Sequence, residues 1–228
     1  FIVISVPPSP FTTGGQVCGS GTVSLNATGT GTMTWFTSPF SPTPLNSGNT
    51  FVTPNLNSNT VFYVANSIPN APVTGGKLTN TGGGYLNNNA QWLNFDVLQN
   101  SVLNSVVVYV NTNTPGNRTV ELRNNGTILN STTFSLVPGA NTLTLNYPLT
   151  TGINYELGLS NSSMSNLYRS TTGIAFPYNI GSCVSITGSS TGYYYWYYNW
   201  KVSKADCMSP AVAVTASVLP LPVASIST

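Results

Sequence analysis

Short runs of alternating apolar and polar residues, separated by Gly, Asn and Pro, follow one another along the whole chain of 228 residues. They recur roughly every 8 to 15 residues, and none shows the period of an amphipathic helix. Alternation places successive side chains on opposite faces of a strand. The pattern therefore predicts an all-β fold of the β-sandwich or jelly-roll type. The predicted strands span residues 22–28, 32–37, 60–65, 93–98, 105–110, 119–123, 128–136, 142–145, 154–159, 184–187, 193–202 and 211–218.

Charged side chains are scarce: Lys, Arg, Asp and Glu make up 4% of the residues, the net charge is +2, and histidine is absent. A nucleic-acid partner is not expected, because phosphate binding requires a basic surface patch. Neutral Asn, Thr and Ser side chains must supply the polar surface, and such a surface responds little to salt or pH. The composition favours an extracellular location.

The sequence offers few groups for catalysis. Its four acids are Asp96, Glu121, Glu156 and Asp206, and potential Ser or Cys nucleophiles lack the His that normally activates them. Glu121 and Glu156 lie in predicted strands near Arg123, where a cross-strand ion pair is the simpler role. The three cysteines have no CxxC spacing, so no metal site is expected. We therefore expect a non-enzymatic protein without a cofactor.

Two similar Pro-rich stretches stand near the ends of the sequence: SVPPSP (5–10) and SVLPLP (217–222). They can arise by chance in a Pro-containing β protein. Alternatively, each is the end of a strand followed by a linker that Pro stiffens. On this interpretation the sequence is a slice of a tandem array, in which residues 1–6 end a preceding module and residues 219–228 form the linker to the next one.

A set of short motifs between these stretches resembles the immunoglobulin-like modules repeated in large secreted cell-surface proteins and gliding adhesins of Bacteroidota. The motifs are VCGSGTVSLNAT (17–28), MTWF (33–36), TPL (43–45), FVTPNL (51–56) and TVFYV (60–64). Such modules typically close with Cys, Ser-Pro and a Val-rich final strand. Here that ending does not follow residue 64 but stands at CMSPAVAVTASV (207–218).

The displaced ending implies that a second domain is inserted before the final strand of the first. Insertion is tolerated at exposed loop tips when the inserted ends lie close together. We expect an immunoglobulin-like stalk module at residues 7–71 and 205–218, and a jelly-roll-like domain at residues 72–204. The inserted part also resembles a β-sandwich domain seen at that position in similar surface proteins, through NFDVL (94–98), LYRS (167–170) and VSITG (184–188).

The resemblance implies an extracellular structural or adhesive segment of a large cell-surface adhesin or filament. Its partners would be neighbouring immunoglobulin-like modules of the same chain, and surface glycans are a further candidate. No apolar run reaches 18 residues, so no membrane insertion is expected.

The resemblance also implies a disulfide between Cys18 and Cys207, because both positions carry Cys in the family pattern. The two residues precede different strands, and in a simple immunoglobulin topology those points need not lie at the same end of the sandwich. Cys183 is expected to be buried as a small hydrophobic residue without a disulfide.

The most unusual segment is GYYYWYYNW (192–200). In a strand, Tyr193, Tyr195 and Tyr197 face one side, while the opposite face carries Trp196 and Trp200 and is the better core candidate. A row of exposed rings would form a platform for sugars, because Tyr combines an apolar face with a hydrogen-bonding tip.

A glycan-binding domain on an immunoglobulin-like stalk is therefore the alternative function. Asn199, Arg169 and Gln91 would add hydrogen bonds to sugar hydroxyls around the platform. The competing interpretation is structural: aromatic residues favour strands, and the same rings can cover the sandwich.

Overall fold

A computed structural model describes residues 6–41, 43–87, 91–160 and 165–222 of the chain. Every regular element in these ranges is a β-strand, which confirms the all-β prediction. In chain order the strands are β1 (Phe11–Thr13), β2 (Gly15–Cys18), β3 (Ser24–Thr28), β4 (Thr32–Phe36), β5 (Asn46–Ser47), β6 (Thr50–Val52), β7 (Thr60–Ile68), β8 (Val73–Gly75), β9 (Gly83–Leu86), β10 (Trp92–Val97), β11 (Ser101–Val110), β12 (Gly116–Asn124), β13 (Thr127–Leu136), β14 (Gly139–Leu149), β15 (Gly152–Leu159), β16 (Leu167–Ser170), β17 (Tyr178–Ile180), β18 (Val184–Ser189), β19 (Tyr194–Tyr195), β20 (Tyr198–Lys204), β21 (Cys207–Met208) and β22 (Val212–Leu219).

The chain folds into two compact units. Unit 1 comprises the described residues up to Pro69 together with those from Asp206 onward, and unit 2 spans Asn70–Ala205. Most of the predicted end of a preceding module (1–6) lies outside the described residues, as does the part of the linker (219–228) beyond Pro222.

Unit 1 is an immunoglobulin-like sandwich of two sheets. One sheet has the order β1-β3-β6, and the other has the order β2-β22-β7-β4-β5, with β21 also paired to β7. Strand β3 shows how the sequence pattern builds it: Leu25 and Ala27 are buried, while the residues between and beside them are exposed. The aromatic rings of Trp35, Phe51 and Phe62 pack together in the core. The ring centroids are 5.6 Å apart for Trp35 and Phe51 and 5.1 Å apart for Phe51 and Phe62.

The first strands of unit 1 divide between its two sheets. Strand β1 pairs with β3, and after Gly14 the chain continues as β2, which pairs in parallel with β22. A Cβ atom on Gly14 would lie 2.6 Å from the carbonyl oxygen of Thr215 on β22. Glycine is thus required where the chain changes sheets, because the backbones approach too closely for a side chain.

Unit 2 is a second, larger sandwich. A six-stranded sheet has the order β13-β12-β15-β10-β18-β17. The facing sheet has the order β19-β16-β11-β20-β8, with β14 also paired to β11 and β9 to β16. The inner faces form one apolar cluster, whose largest fully buried members include Phe95, Trp196 and Trp200.

The ends of unit 2 lie side by side. Strand β8 at its start pairs with β20 near its end, with Val73 opposite Val202, and the Asn70 side-chain amide donates to the Ala205 carbonyl at 2.7 Å. Within unit 1, Ile68 is likewise opposite Cys207. Unit 2 therefore occupies the sequence between β7 and the last strand of unit 1, and both of its ends are held by strand pairing.

The expected Cys18–Cys207 disulfide is not formed, and this prediction is wrong. Cys18 is opposite Leu219 at the far end of β22, whereas Cys207 precedes the start of that strand. Eight extended residues separate these ends by roughly 24 Å, and a disulfide requires Cα atoms less than about 7 Å apart. Cys183 is 2% exposed and carries no disulfide, as predicted.

Candidate functional site

The Tyr-rich segment does not form the single continuous strand that its sequence predicts. Gly192, Trp196 and Asn199 have positive φ angles of 86°, 60° and 46°, and these residues interrupt the alternation of faces. As a result β19 ends at Tyr195 and β20 begins at Tyr198. Side chains of both parities then turn inward, and every residue from 194 to 198 is at most 1% exposed.

The predicted sugar platform is therefore wrong for Tyr195 and Tyr197, which are 1% and 0% exposed. Only Tyr193 of the three reaches the surface, with 38% of its area exposed. The prediction that Trp196 and Trp200 belong to the core is confirmed, since both are fully buried.

The buried tyrosines hold unit 2 together through their hydroxyl groups. Tyr197 donates to the Gly158 carbonyl at 2.7 Å, Tyr194 accepts from the Lys77 amide at 3.0 Å, and the hydroxyls of Tyr198 and Ser170 are 3.1 Å apart. Burial raises the pKa of Tyr194, Tyr197 and Tyr198 above its usual value, because the ionised phenolate would be desolvated.

The other predicted binding residues are only partly brought together. The Arg169 guanidinium lies 4.8 Å from the Tyr193 ring centroid and 6.0 Å from that of Tyr195. Gln91 instead accepts a hydrogen bond from Ser190, and the backbone N–H of Asn199 donates to the Lys77 carbonyl. The Arg169–Tyr193 contact is a partly exposed cation–π pair, which is a modest stabilising interaction.

A cleft on the outer face of the six-stranded sheet contains a different set of polar groups. It has a volume of about 360 Å³. Strand register explains its composition: Asn94 on β10 is directly opposite Glu156 on β15, and Asp96 lies two residues further along β10 on the same face. The polar side chains of its lining are Asn94, Asp96, Asn125, Asn154, Glu156 and Thr187.

Several polar side chains of this cleft have no hydrogen-bond partner among the described residues. Asp96 accepts from the Asn154 backbone amide at 3.2 Å, and the Thr187 hydroxyl donates to the Asn94 carbonyl at 3.3 Å. In contrast, the side-chain amides of Asn94 and Asn154 and the carboxylate of Glu156 make no hydrogen bond to any described residue.

Next to the cleft, Arg123 and Trp92 form a stacked pair. The guanidinium lies 3.9 Å from the Trp92 ring centroid and donates from Nε to Glu121 at 3.0 Å. A Cβ atom on Gly158 would lie 1.8 Å from the Trp92 ring, so only glycine at this position leaves room for the indole over the sheet. The ion pair of Arg123 forms within β12, with Glu121, so the prediction of a cross-strand pair is wrong. Glu156, opposite Arg123 on β15, makes no ion pair with any described residue.

Sequence reasoning missed this cleft because no local motif marks it. Asp96 and Glu156 are far apart in sequence, and only the pairing of β10 with β15 brings them to one surface. The available signal was the alternation in NFDVL (94–98), which places Asn94 and Asp96 on the face opposite Phe95.

Within the described ranges, no group of three or more His, Cys, Asp or Glu side chains is placed to hold a metal ion. A helix long and apolar enough to cross a bilayer is likewise absent from the part of the chain that the structure describes.

Comparison with known proteins places an immunoglobulin-like module in the first part of the chain. The family described as "Ig-like domain CHU_C associated" matches residues 7–85, which includes β1 to β7 of unit 1 and the first strands of unit 2. No curated protein and no solved structure matches the chain. The family match agrees with the resemblance noted in residues 17–64.

Proposed function

We propose that this chain is an extracellular structural segment of a large cell-surface adhesin or filament, with unit 1 as a spacer that transmits tension along the chain. The observation that carries the proposal is the path of the chain through unit 1. The Pro8 carbonyl, close to where the chain enters, accepts a hydrogen bond from the side chain of Asn66 near the end of β7. The Val218 amide, close to where the chain leaves, donates to the side chain of Asn59 just before β7 begins.

Entry and exit therefore lie at opposite ends of unit 1. The seven residue steps from Asn59 to Asn66 along an extended strand cover roughly 24 Å. Modules that are entered at one end and left at the other can be joined in series without the chain doubling back. This geometry suits the tandem array that the Pro-rich stretches predict.

The strands next to entry and exit also suit a role in transmitting tension. Strand β2 pairs in parallel with β22, from Gly15 opposite Ala216 to Cys18 opposite Leu219. Tension applied to the two ends of unit 1 pulls these parallel strands in opposite directions along their axes. All of the hydrogen bonds between them must then break together rather than one at a time.

Unit 2 does not interrupt this path. The chain leaves and re-enters unit 1 at the paired residues Ile68 and Cys207, while β2 and β22 are joined directly. The spacer function of unit 1 is thus compatible with an additional domain in its sequence. The family match and the scarcity of charge support the extracellular, cell-surface setting of the proposal.

The experiment is surface labelling of cells that produce the protein. Antibodies raised against the folded chain should label intact cells, and brief protease treatment of those cells should remove the label. An antibody against a cytoplasmic enzyme serves as the control for cell integrity. Labelling that appears only after lysis would contradict the proposal.

A further inference from the structure

The cleft between Asn94, Asp96, Asn154 and Glu156 has the hydrogen-bonding chemistry of a binding site. Each of the two free amide side chains offers both donors and an acceptor, and the Glu156 carboxylate offers acceptors only. Such groups complement neighbouring hydroxyls, which donate and accept in turn. Polar side chains without protein partners that share a concave surface are the groups that a ligand can engage.

The charge of the cleft argues against an anionic ligand. Two of the four carboxylates of the whole chain, Asp96 and Glu156, line it. Arg123, the cation directly opposite Glu156 in the sheet, is held by Glu121 and by the Trp92 ring. An anionic ligand would be repelled, whereas hydroxyl groups can donate to both carboxylates.

The cleft is also rigidly built. Asn94 and Asp96 stand on β10, Glu156 stands on β15, and Thr187 stands on β18, which are adjacent strands of one sheet. Side chains fixed on strands lose little freedom when a ligand binds. The volume of about 360 Å³ lies at the small end of the range for ligand pockets, which suits a short saccharide or the end of a chain.

We propose that this cleft binds a neutral saccharide, with Asn94, Asn154 and Glu156 as the hydrogen-bonding residues. The site is distinct from the Tyr-rich segment, whose rings from 194 to 198 are buried. The proposal does not rest on the structural role of unit 1, since it concerns side chains of unit 2 only.

The test is an NMR titration of the whole 228-residue chain. Cellohexaose, mannohexaose, xylohexaose and chitohexaose are added separately to millimolar concentration, and backbone amide shifts are followed. At least one of these saccharides should shift the amides of Asn94, Asp96, Asn154 and Glu156, and leave those of Tyr194–Tyr195 in place. The unliganded spectrum of each variant shows whether it is folded.

Two variants and one control establish the contacts. Glu156→Gln and Asn94→Ala should each weaken binding about tenfold, the loss expected for one hydrogen bond to a polar or charged group. Asn113→Ala, which removes an exposed amide elsewhere in unit 2, should leave affinity unchanged.

Three results would overturn the proposal. The first is the absence of cleft shifts with all four saccharides, or shifts that the two cleft variants do not weaken. The second is the same set of shifts on addition of calcium chloride alone, which would make the cleft a cation site. The third is shortening of the added saccharide, which would make it a hydrolytic site. None of these results bears on surface labelling, so the two proposals can fail separately.

Discussion

Tyr197 shows at the scale of a single residue what the Tyr-rich segment does. Its hydroxyl donates to the Gly158 carbonyl in a fully buried environment. Tyr197→Phe leaves this carbonyl without that donor and should lower the free energy of unfolding of unit 2 by about 1 to 2 kcal/mol. Urea unfolding followed by the near-ultraviolet circular dichroism of the buried aromatic rings measures the change.

Tyr193→Phe is the matched control, because this neighbouring tyrosine is 38% exposed. Removing its hydroxyl should change stability by less than about 0.5 kcal/mol. Equal effects of the two substitutions would show that the buried hydroxyl is not what stabilises the segment.

The burial of the Tyr-rich run also marks a limit of sequence reasoning at this scale. Alternation predicted that Trp196 and Trp200 would be core residues, and they are. It also predicted an outward face, because a regular strand must have one. Trp196 adopts a left-handed backbone conformation that is uncommon for a large side chain, and no pattern in the sequence predicts this conformation.

At the scale of elements, the parallel pairing of β2 with β22 predicts how unit 1 responds to force. In single-molecule pulling from the two ends of the chain, unit 1 should rupture first, and only then is unit 2 loaded. Each rupture lengthens the chain by roughly 3.5 Å per unfolded residue. Unit 1 is the smaller unit, so its short step should precede the longer step of unit 2. A long step that comes first would contradict this order.

Gly14→Ala tests the strand pair itself within the same experiment. The added methyl group would lie 2.6 Å from the Thr215 carbonyl and must push β2 away from β22. The rupture force of the short step should therefore fall. Gly84→Ala in unit 2, where an added Cβ meets nothing within 4 Å, should leave that force unchanged.

Elements with clear alternation were predictable, and their pairing was not. The pattern at residues 154–159 lies within β15, and that at 32–37 coincides with β4 to within a residue. Short strands such as β9, with two glycines, and β17, with three residues, carry too few alternating positions to be recognised. The cleft that Asn94 and Glu156 line depends on the register between β10 and β15, which is a long-range property that local patterns do not encode.

At the scale of the whole molecule, the few titrating groups shape the dependence of stability on pH. The chain has no histidine and four acidic residues, but it has 12 tyrosines. Burial raises the pKa of Tyr194, Tyr197 and Tyr198 in the folded chain, whereas in the unfolded chain each ionises near pH 10. Above that pH the unfolded state binds fewer protons than the folded state, so stability must fall as pH rises.

Each of these tyrosines should contribute a loss of about 1.4 kcal/mol per pH unit above its unfolded pKa. At pH 11 the three together destabilise unit 2 by about 4 kcal/mol, a large part of the stability of a typical domain. Urea unfolding at pH 8, 9, 10 and 11 measures the slope. Tyr194→Phe and Tyr198→Phe each remove one titrating group and should reduce the alkaline slope by about 1.4 kcal/mol per pH unit, even though both lose a hydroxyl contact at neutral pH. An unchanged slope in both variants would mean that ionisation of these buried phenols does not limit the stability of the fold in alkali.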